Sequence, residues 1–116
     1  MYDFTIYHNP RCSKSREALN ILNKNKIHPK VVLYLEHPLK SSEIRKILKK
    51  LNLSPRDLLR KGEPQYNENN LQDESLLDNQ ILNIMEKFPK LIERPIITRN
   101  NTGIIGRPPE KVLELL

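Results

Sequence analysis

Two kinds of apolar pattern alternate along the chain and predict its first elements. A short run over Phe4–Tyr7 and a nearly continuous apolar run over residues 31–35 are typical of strands, the second covered on both faces. Between them, Ala18, Leu19 and Leu22 recur at helical spacing and predict a helix over residues 13–25. The strand–helix–strand order with short connections therefore predicts a βαβ unit whose two strands are parallel.

The middle of the chain carries helical patterns only. An apolar stripe at i, i+3, i+4 and i+7 predicts an amphipathic helix that begins near Ser41 or Ser42: Ile44, Ile47, Leu48 and Leu51. The Ser-Pro-Arg-Asp run at 54–57 is a helix start signal and predicts a short helix that ends near residues 60–62. Residues 63–74 are polar and predict a loop or one loose turn. Another stripe predicts a helix over residues 77–88: Leu77, Ile81, Ile84, Met85 and Phe88.

The period of the pattern changes after Pro89. Apolar runs at 95–98 and 102–105 flank Arg-Asn-Asn, which predicts a hairpin, and residues 108–109 begin a last amphipathic helix through Val112, Leu113 and Leu116. The order β-α-β-α-α-α-β-β-α predicts an α/β fold with a mixed four-stranded sheet and flanking helices. This is the thioredoxin-like arrangement, with a helical insert between the βαβ and ββα halves, and residues 1–116 are expected to form one domain.

Length and composition narrow the class of protein. The chain has 116 residues, near the usual size of one domain. Its longest aliphatic-rich run is far below the ~20 apolar residues of a membrane span. Residues 1–4 lack the basic and apolar regions of a signal peptide, and the single cysteine cannot form an internal disulfide. A cytoplasmic protein that does not interact with membranes is expected.

The positive charge is concentrated in the first half of the chain. The net charge is +6, and residues 1–58 carry twelve Lys or Arg against five Asp or Glu, which is +7. Part of this charge, at Lys46, Lys49 and Lys50, lies on a predicted helix surface. Two Phe and four Tyr leave little surface on which single-stranded bases can stack. Nucleic-acid binding is therefore not expected.

Cys12 lies where the first strand turns into the first predicted helix. Backbone N–H groups at a helix start favour an anion, and Arg11, Lys14 and Arg16 add positive charge nearby. Such surroundings lower the pKa of a cysteine thiol. A lone cysteine is more often a small buried apolar residue. Here, however, the neighbours at positions 11, 14 and 16 are basic, and the serines at positions 13 and 15 carry hydroxyls. The stretch is therefore interpreted as an anion pocket that contains a nucleophile.

Several sequence blocks in a fixed order resemble one known family. They are residues 8–16 (His-Asn-Pro-Arg-Cys-Ser-Lys-Ser-Arg), 33–36 (Leu-Tyr-Leu-Glu), 58–61 (Leu-Leu-Arg-Lys, followed by Glu63-Pro64), 94–96 (Arg-Pro-Ile) and 106–108 (Gly-Arg-Pro). With them the chain resembles the glutaredoxin-coupled arsenate reductases, the ArsC family, essentially from end to end. The resemblance implies a cysteine thiolate that attacks arsenate, and a covalent thioarsenate that glutathione and glutaredoxin then reduce to release arsenite.

The resemblance also implies roles for individual residues. Cys12 matches the nucleophile, and His8 matches a histidine that favours the thiolate. The anion-binding arginines are matched by Arg60, Arg94 and Arg107. From its own residues, the loop around Cys12 is expected to support the anion through Asn9, Arg11, Ser13, Ser15 and Arg16. Pro95 matches a cis-proline that borders the active site. Structural alternatives stay open: Arg60 as a cation at a helix end, Arg107 as a solvated residue, and His8 as a brace of the turn.

The remaining expectations concern cofactors and partners. No His, Cys, Asp or Glu cluster has metal-ligand spacing, so no metal and no bound cofactor is predicted. Position 15 is serine, so the reductant must come from outside the chain, with glutathione as co-substrate and glutaredoxin as partner of a monomer. Two alternatives remain: a reductase of another oxyanion or of a glutathione-linked substrate, and a non-enzymatic regulator of the Spx type that binds RNA polymerase. Spx-type regulators usually carry a Cys-x-x-Cys motif, whereas here the position of the second cysteine is occupied by Ser15.

Overall fold

The computed structural model of this chain describes residues 3–116. Met1 and Tyr2, which belong to the stretch expected to lack signal-peptide features, lie outside the described residues. The described chain clusters into two compact units. One comprises the described part of Met1–His37 together with Arg94–Leu116, and the other is Pro38–Glu93. The expectation of a single domain stays a prediction.

The first unit is built on a mixed sheet. Within residues 3–116 the sheet has four strands, in the order β2-β1-β3-β4: β1 (Phe4–Tyr7), β2 (Lys30–Val32), β3 (Ile96–Arg99) and β4 (Thr102–Ile105). β1 pairs with β2 in parallel, and the β1–β3 and β3–β4 pairs are antiparallel. This confirms the predicted mixed four-stranded sheet.

The hairpin between β3 and β4 is tight because an asparagine accepts a left-handed backbone. Arg99 pairs with Thr102, which leaves a connection of two residues, and Asn100 has φ of 54°. Asparagine tolerates this region better than most side chains. The predicted hairpin is confirmed. After β4 the chain lies close to Pro95, whose carbonyl accepts the Gly106 N–H at 2.8 Å.

One helix and the C-terminal segment pack against this sheet, and the side chains between them form the hydrophobic core of the first unit. α1 (Ser13–Lys24) connects β1 to β2 and packs against a 3₁₀ segment, Pro109–Leu115. The buried side chains of this cluster come from β1, α1, β3 and the 3₁₀ segment: Phe4, Ile6, Ala18, Leu22, Ile97, Val112 and Leu115. Because residues 8–12 connect the carboxyl end of β1 to α1, the loop that carries Cys12 is held between two well-packed elements.

The apolar run over residues 31–35 was wrongly predicted as one strand covered on both faces. β2 ends at Val32 and is an edge strand, and Val31 is 44% exposed. The chain then turns, with the N–H groups of Glu36 and His37 donating to the Leu33 carbonyl at 3.0 and 2.9 Å. Tyr34 is buried within this turn region. The run is apolar partly because a turn residue is buried, which periodicity alone does not distinguish from a strand.

The predicted C-terminal amphipathic helix is a 3₁₀ helix with a different buried face. Val112 and Leu115 are buried, whereas Leu113 and Leu116 are 48% and 49% exposed. A 3₁₀ helix has three residues per turn, so positions i and i+3 share one side. The prediction that Leu113 and Leu116 face the core was therefore wrong.

The second unit consists of helical elements and one isolated antiparallel bridge between Leu59 and Ile92. The helical elements are α2 (Ser41–Leu51), a 3₁₀ turn (Pro55–Leu58), α3 (Pro64–Glu68), α4 (Asp78–Lys87) and a second 3₁₀ turn (Pro89–Leu91). This confirms a helical insert between the βαβ and ββα halves. Leu77 precedes α4 and is 68% exposed, so its assignment to the apolar stripe was wrong, and Leu82 is buried instead. Among residues 3–116, no helix has the length and apolar composition needed to cross a membrane.

Candidate active site

Cys12 is the residue that caps the N-terminus of α1. Its backbone is extended, with φ of −93° and ψ of 122°, and the helix begins at Ser13. The Cys12 N–H donates to the Asn9 carbonyl at 3.0 Å, and the Cys12 carbonyl accepts the Arg16 N–H at 3.0 Å. The side chain is partly exposed. The thiol is therefore reachable from solvent and lies beside the N–H groups of the first helical turn, which have no acceptor within the helix.

The surroundings of the thiol favour its ionised form. Partial burial alone would raise the pKa of Cys12, because it disfavours the charged form. The backbone N–H of Ser15, the guanidinium group of Arg94 and the backbone N–H of Lys14 donate hydrogen bonds that outweigh this burial. The pKa of the Cys12 thiol is consequently lowered from its ordinary value, as expected for a thiol at a helix start next to cations.

Two of the arginines expected to bind an anion converge on this thiol. The Nη2 atom of Arg107 lies 3.7 Å from the Cys12 Sγ, although the two residues are 95 positions apart. The Nε atom of Arg107 donates to the Arg94 carbonyl at 2.7 Å, which orients both residues together. Each of these arginines precedes a cis-proline, Pro95 and Pro108. The cis form was implied for Pro95 by the family resemblance, whereas nothing in the sequence indicated it for Pro108.

Gly106 sets the position of Arg107 by a close backbone approach. A Cβ atom at position 106 would lie 2.9 Å from Pro95 Cγ, 3.1 Å from Ile97 Cδ1 and 3.6 Å from Ala18 Cβ. The Gly106 N–H donates to the Pro95 carbonyl at 2.8 Å. Any larger residue would therefore push the segment that carries Arg107 away from Pro95. The sequence showed Gly106 only as part of a family motif and gave no sign of this contact.

His8, Asn9 and Ser15 brace the loop from inside. The His8 Nδ1 and the Ser15 Oγ are 2.6 Å apart, and the Asn9 N–H donates to the same hydroxyl at 3.1 Å. All three residues are buried. Burial, and secondarily the positive charge of Arg16, lower the pKa of His8, which favours the neutral form of its ring. This contact corresponds to the turn-bracing alternative for His8, and the role in favouring the thiolate stays a prediction.

The other loop residues hold the backbone of the turn. The Arg11 N–H donates to Asn9 Oδ1 at 3.0 Å, and Arg16 Nη1 donates to the Pro10 carbonyl at 2.9 Å. The side chains of Arg11 and Ser13 are exposed. Arg16 thus closes the loop through its side chain, whereas Arg11 contributes only its backbone to these bonds.

Arg60 lies in the second unit, where its guanidinium group is hydrogen-bonded to one carboxylate and lies close to a second. A short antiparallel bridge joins Leu59 to Ile92, and the Arg60 N–H donates to the Leu91 carbonyl at 2.8 Å. Arg60 Nη1 donates to Glu93 Oε1 at 2.8 Å, and Arg60 Nε lies 3.7 Å from Glu63 Oε1. The expected role of Arg60 in anion binding stays a prediction.

Sequence reasoning missed both carboxylates. Glu63 is three positions after Arg60, a spacing that can signal an ion pair. Glu93 is 33 positions away, so no local pattern indicates it. Within residues 3–116, no group of three or more His, Cys, Asp or Glu side chains is placed to hold a metal ion.

The chain matches known proteins along nearly its whole length. The model of the ArsC family matches residues 7–115. A protein of Escherichia coli (strain K12), described as uncharacterized protein YfgD, is 52% identical over 96% of this chain and 94% of its own. An arsenate reductase of Haemophilus influenzae is 40% identical over 96% of this chain and 97% of its own.

A solved structure shows the same fold. It is an arsenate reductase from Vibrio cholerae, with a TM-score of 0.95 and 45% identity over 97% of both chains. The thioredoxin-like fold expected from the order of elements is therefore confirmed. Together with the family model and the full-length relatives, this likeness shows that the chain belongs to the ArsC family.

Proposed function

We propose that this protein reduces arsenate to arsenite with Cys12 as the nucleophile. The observation that supports the proposal most directly is the convergence of Arg94 and Arg107 on a thiol whose pKa is lowered. Relatives named as arsenate reductases cover nearly the whole chain at about 40% identity. Attack of a thiolate on an oxyanion requires fixed positive charge beside the thiol, and Arg94 and Arg107 lie in that position.

Charge repulsion is the main obstacle to the first step. Arsenate is an anion at neutral pH and repels a thiolate, so the approach of the two needs fixed positive charge. Guanidinium groups supply forked donors and do not lose their protons. The Cys12 sulfur bonds to arsenic while an arsenate oxygen leaves as water, which gives a thioarsenate anion. Arg94 and Arg107 stabilise the charge that develops during this step.

The electrons come from two thiols. Glutathione attacks the Cys12 sulfur, the sulfur–arsenic bond breaks with its electron pair going to arsenic, and arsenite leaves. Cys12 and glutathione are then joined as a mixed disulfide, which glutaredoxin reduces with a further thiol. Ser15 is fully buried and bonded to His8 and Asn9, and it has no sulfur to take part in disulfide exchange. An external reductant in the cytoplasm follows as part of the proposal.

A coupled assay tests the proposal. Arsenate, glutathione, glutaredoxin, glutathione reductase and NADPH are combined with the protein, and arsenate-dependent oxidation of NADPH is expected. The Cys12→Ser variant is expected to lose this activity while keeping its fold, because the side chain is only partly buried.

Three results would contradict the proposal. They are an arsenate-dependent rate no higher than that of the Cys12→Ser variant, loss of folding in that variant, and turnover of glutathione mixed disulfides without any turnover of arsenate. The last result would favour a reductase of glutathione-linked substrates. Capture of RNA polymerase by a protein without turnover would favour the regulator.

A further inference from the structure

Three cations lie next to Cys12 in the sequence, and their side chains differ in what they contact. Arg16 Nη1 donates to the Pro10 carbonyl at 2.9 Å, and Lys14 Nζ lies 3.9 Å from Glu17 Oε2. Arg11 is exposed, and among the described residues its guanidinium group has no hydrogen bond or ion pair. The donors of Arg11 are therefore available to a ligand.

The backbone keeps Arg11 next to the nucleophile. The Arg11 N–H donates to Asn9 Oδ1 at 3.0 Å, and the Cys12 N–H donates to the Asn9 carbonyl at the same distance. These two bonds to one residue hold the turn, and consecutive Cα atoms are about 3.8 Å apart. Because salt screens charges over about 8–10 Å, the charge of Arg11 is close enough to act on a reactant that approaches the Cys12 sulfur.

We propose that Arg11 is a specificity-determining residue that favours anionic reactants, and glutathione in particular, at the Cys12 sulfur. Glutathione carries two carboxylates and one ammonium group, so it is an anion at neutral pH. A carboxylate can accept two parallel hydrogen bonds from a guanidinium group. The inference rests on the proposed function, which makes glutathione the co-substrate.

Arg11 and Arg107 differ in which part of a reactant they can contact. Arg107 Nη2 lies 3.7 Å from the Cys12 sulfur and is close to the atom that bonds to it. Arg11 is exposed and has a long flexible side chain, so it can contact the more distant carboxylates of a larger reactant. Arg11 therefore acts on the choice of co-substrate and takes no part in the bond changes at sulfur.

Alkylation of Cys12 by a charged and a neutral reagent is the first test. Iodoacetate is an anion and iodoacetamide is neutral, and with both reagents the sulfur displaces iodide from a CH₂ group. The ratio of the two rate constants does not depend on the pKa of the thiol, because the fraction of thiolate multiplies both. Arg11→Gln is expected to lower the iodoacetate-to-iodoacetamide ratio by about threefold, the effect of one unit charge at about 7 Å in water.

Matched variants separate the charge of Arg11 from other effects. Arg11→Lys keeps the charge and is expected to keep most of the ratio. Lys24→Gln removes the same charge from an exposed position at the far end of α1, a helix of 12 residues and therefore about 18 Å long. It is expected to leave the ratio unchanged. At about 1 M salt the Debye length is about 3 Å, so the effect of Arg11→Gln is expected to shrink. Thermal unfolding shows that each protein is folded.

A pair of disulfides tests the preference for glutathione. Glutathione disulfide is anionic, and hydroxyethyl disulfide is neutral. The Cys12 thiolate attacks one sulfur of either reagent, a mixed disulfide forms, and the other half leaves as a thiolate. Arg11→Gln is expected to slow the reaction with glutathione disulfide at least threefold relative to hydroxyethyl disulfide, because each half of glutathione disulfide carries carboxylates.

The possible outcomes are distinct. The inference is overturned by an iodoacetate-to-iodoacetamide ratio that Arg11→Gln leaves unchanged, by a fall that Lys24→Gln reproduces, and by a fall that high salt does not reduce. It is also overturned if the preference for glutathione disulfide stays the same, because glutathione is then not the reactant that Arg11 selects. Both falls together support it.

Arsenate turnover is measured in parallel and separates the inference from the proposed function. Lower preference for both anionic reagents in Arg11→Gln, without arsenate turnover by the wild-type protein, contradicts the proposed function and leaves the selectivity of Arg11 standing. Turnover by the wild-type protein, with both preferences unchanged in Arg11→Gln, supports the proposed function and overturns the inference.

Discussion

The arginines of this protein occupy two different chemical settings. In the first unit, the guanidinium groups of Arg94 and Arg107 donate to the Cys12 sulfur and lie beside the start of α1. In the second unit, the guanidinium group of Arg60 is bonded to Glu93 and lies close to Glu63. The motifs that carry these arginines suggest equivalent roles. Their contacts differ, so a motif match identifies an arginine but does not show which charged groups surround it.

Removing one arginine from each setting gives the largest expected difference. Arg107→Gln is expected to lower kcat/KM for arsenate by about 10²-fold, the effect of losing one donor to developing negative charge. Arg60→Gln is expected to lower it less, because Glu93 and Glu63 already offset the charge that is lost. The coupled assay with NADPH measures both. Equal losses in the two variants would mean that the carboxylates do not weaken Arg60.

Gly106→Ala disturbs the first setting without changing any arginine. The added Cβ would lie 2.9 Å from Pro95 Cγ, so the segment with Arg107 must move. We expect a loss of about 1–3 kcal/mol in the free energy of unfolding, typical of overpacking, together with reduced activity. Gly62→Ala is the matched control, because a Cβ there meets nothing within 4 Å. Chemical denaturation measures the free energy of unfolding of both variants. Equal values would show that position 106 accommodates a Cβ atom.

The smallest expected effect is on the titration of the thiol. The pH at which iodoacetamide alkylation of wild-type Cys12 reaches half its maximal rate is expected below the ordinary thiol value, because donors stabilise the thiolate. Arg94→Gln removes one of these donors and is expected to raise that pH. Arg60→Gln is expected to leave it unchanged. A wild-type titration at the ordinary pH of a free thiol would remove the basis for an activated nucleophile.

The sequence was most informative where local chemistry decides the structure. The run of basic and hydroxyl residues around Cys12, next to a helical stripe, was enough to place the thiol at the start of a helix. The hairpin followed from Asn100 and its neighbours. In both places the conformation depends on residues within a few positions of each other.

The sequence was least informative where contacts join distant segments. The burial of Tyr34 in a turn and the exposure of Leu113 depend on what packs nearby, which an apolar pattern does not encode. The closeness of Gly106 to Pro95 and the pairing of Glu93 with Arg60 need the folded chain. The resemblance identified the arginines, but only the folded structure shows which groups surround them.

The distance along the chain between Cys12 and Arg107 has a consequence for synthesis. During translation, Cys12 is added to the chain 95 positions before Arg107. An incomplete chain lacks the guanidinium groups that favour the ionised form of the Cys12 thiol and lower its pKa. Its thiol is therefore less reactive toward electrophiles and oxidants, and the nucleophile gains its full reactivity only after the segment with Arg94 and Arg107 has been made and β3 pairs with β1.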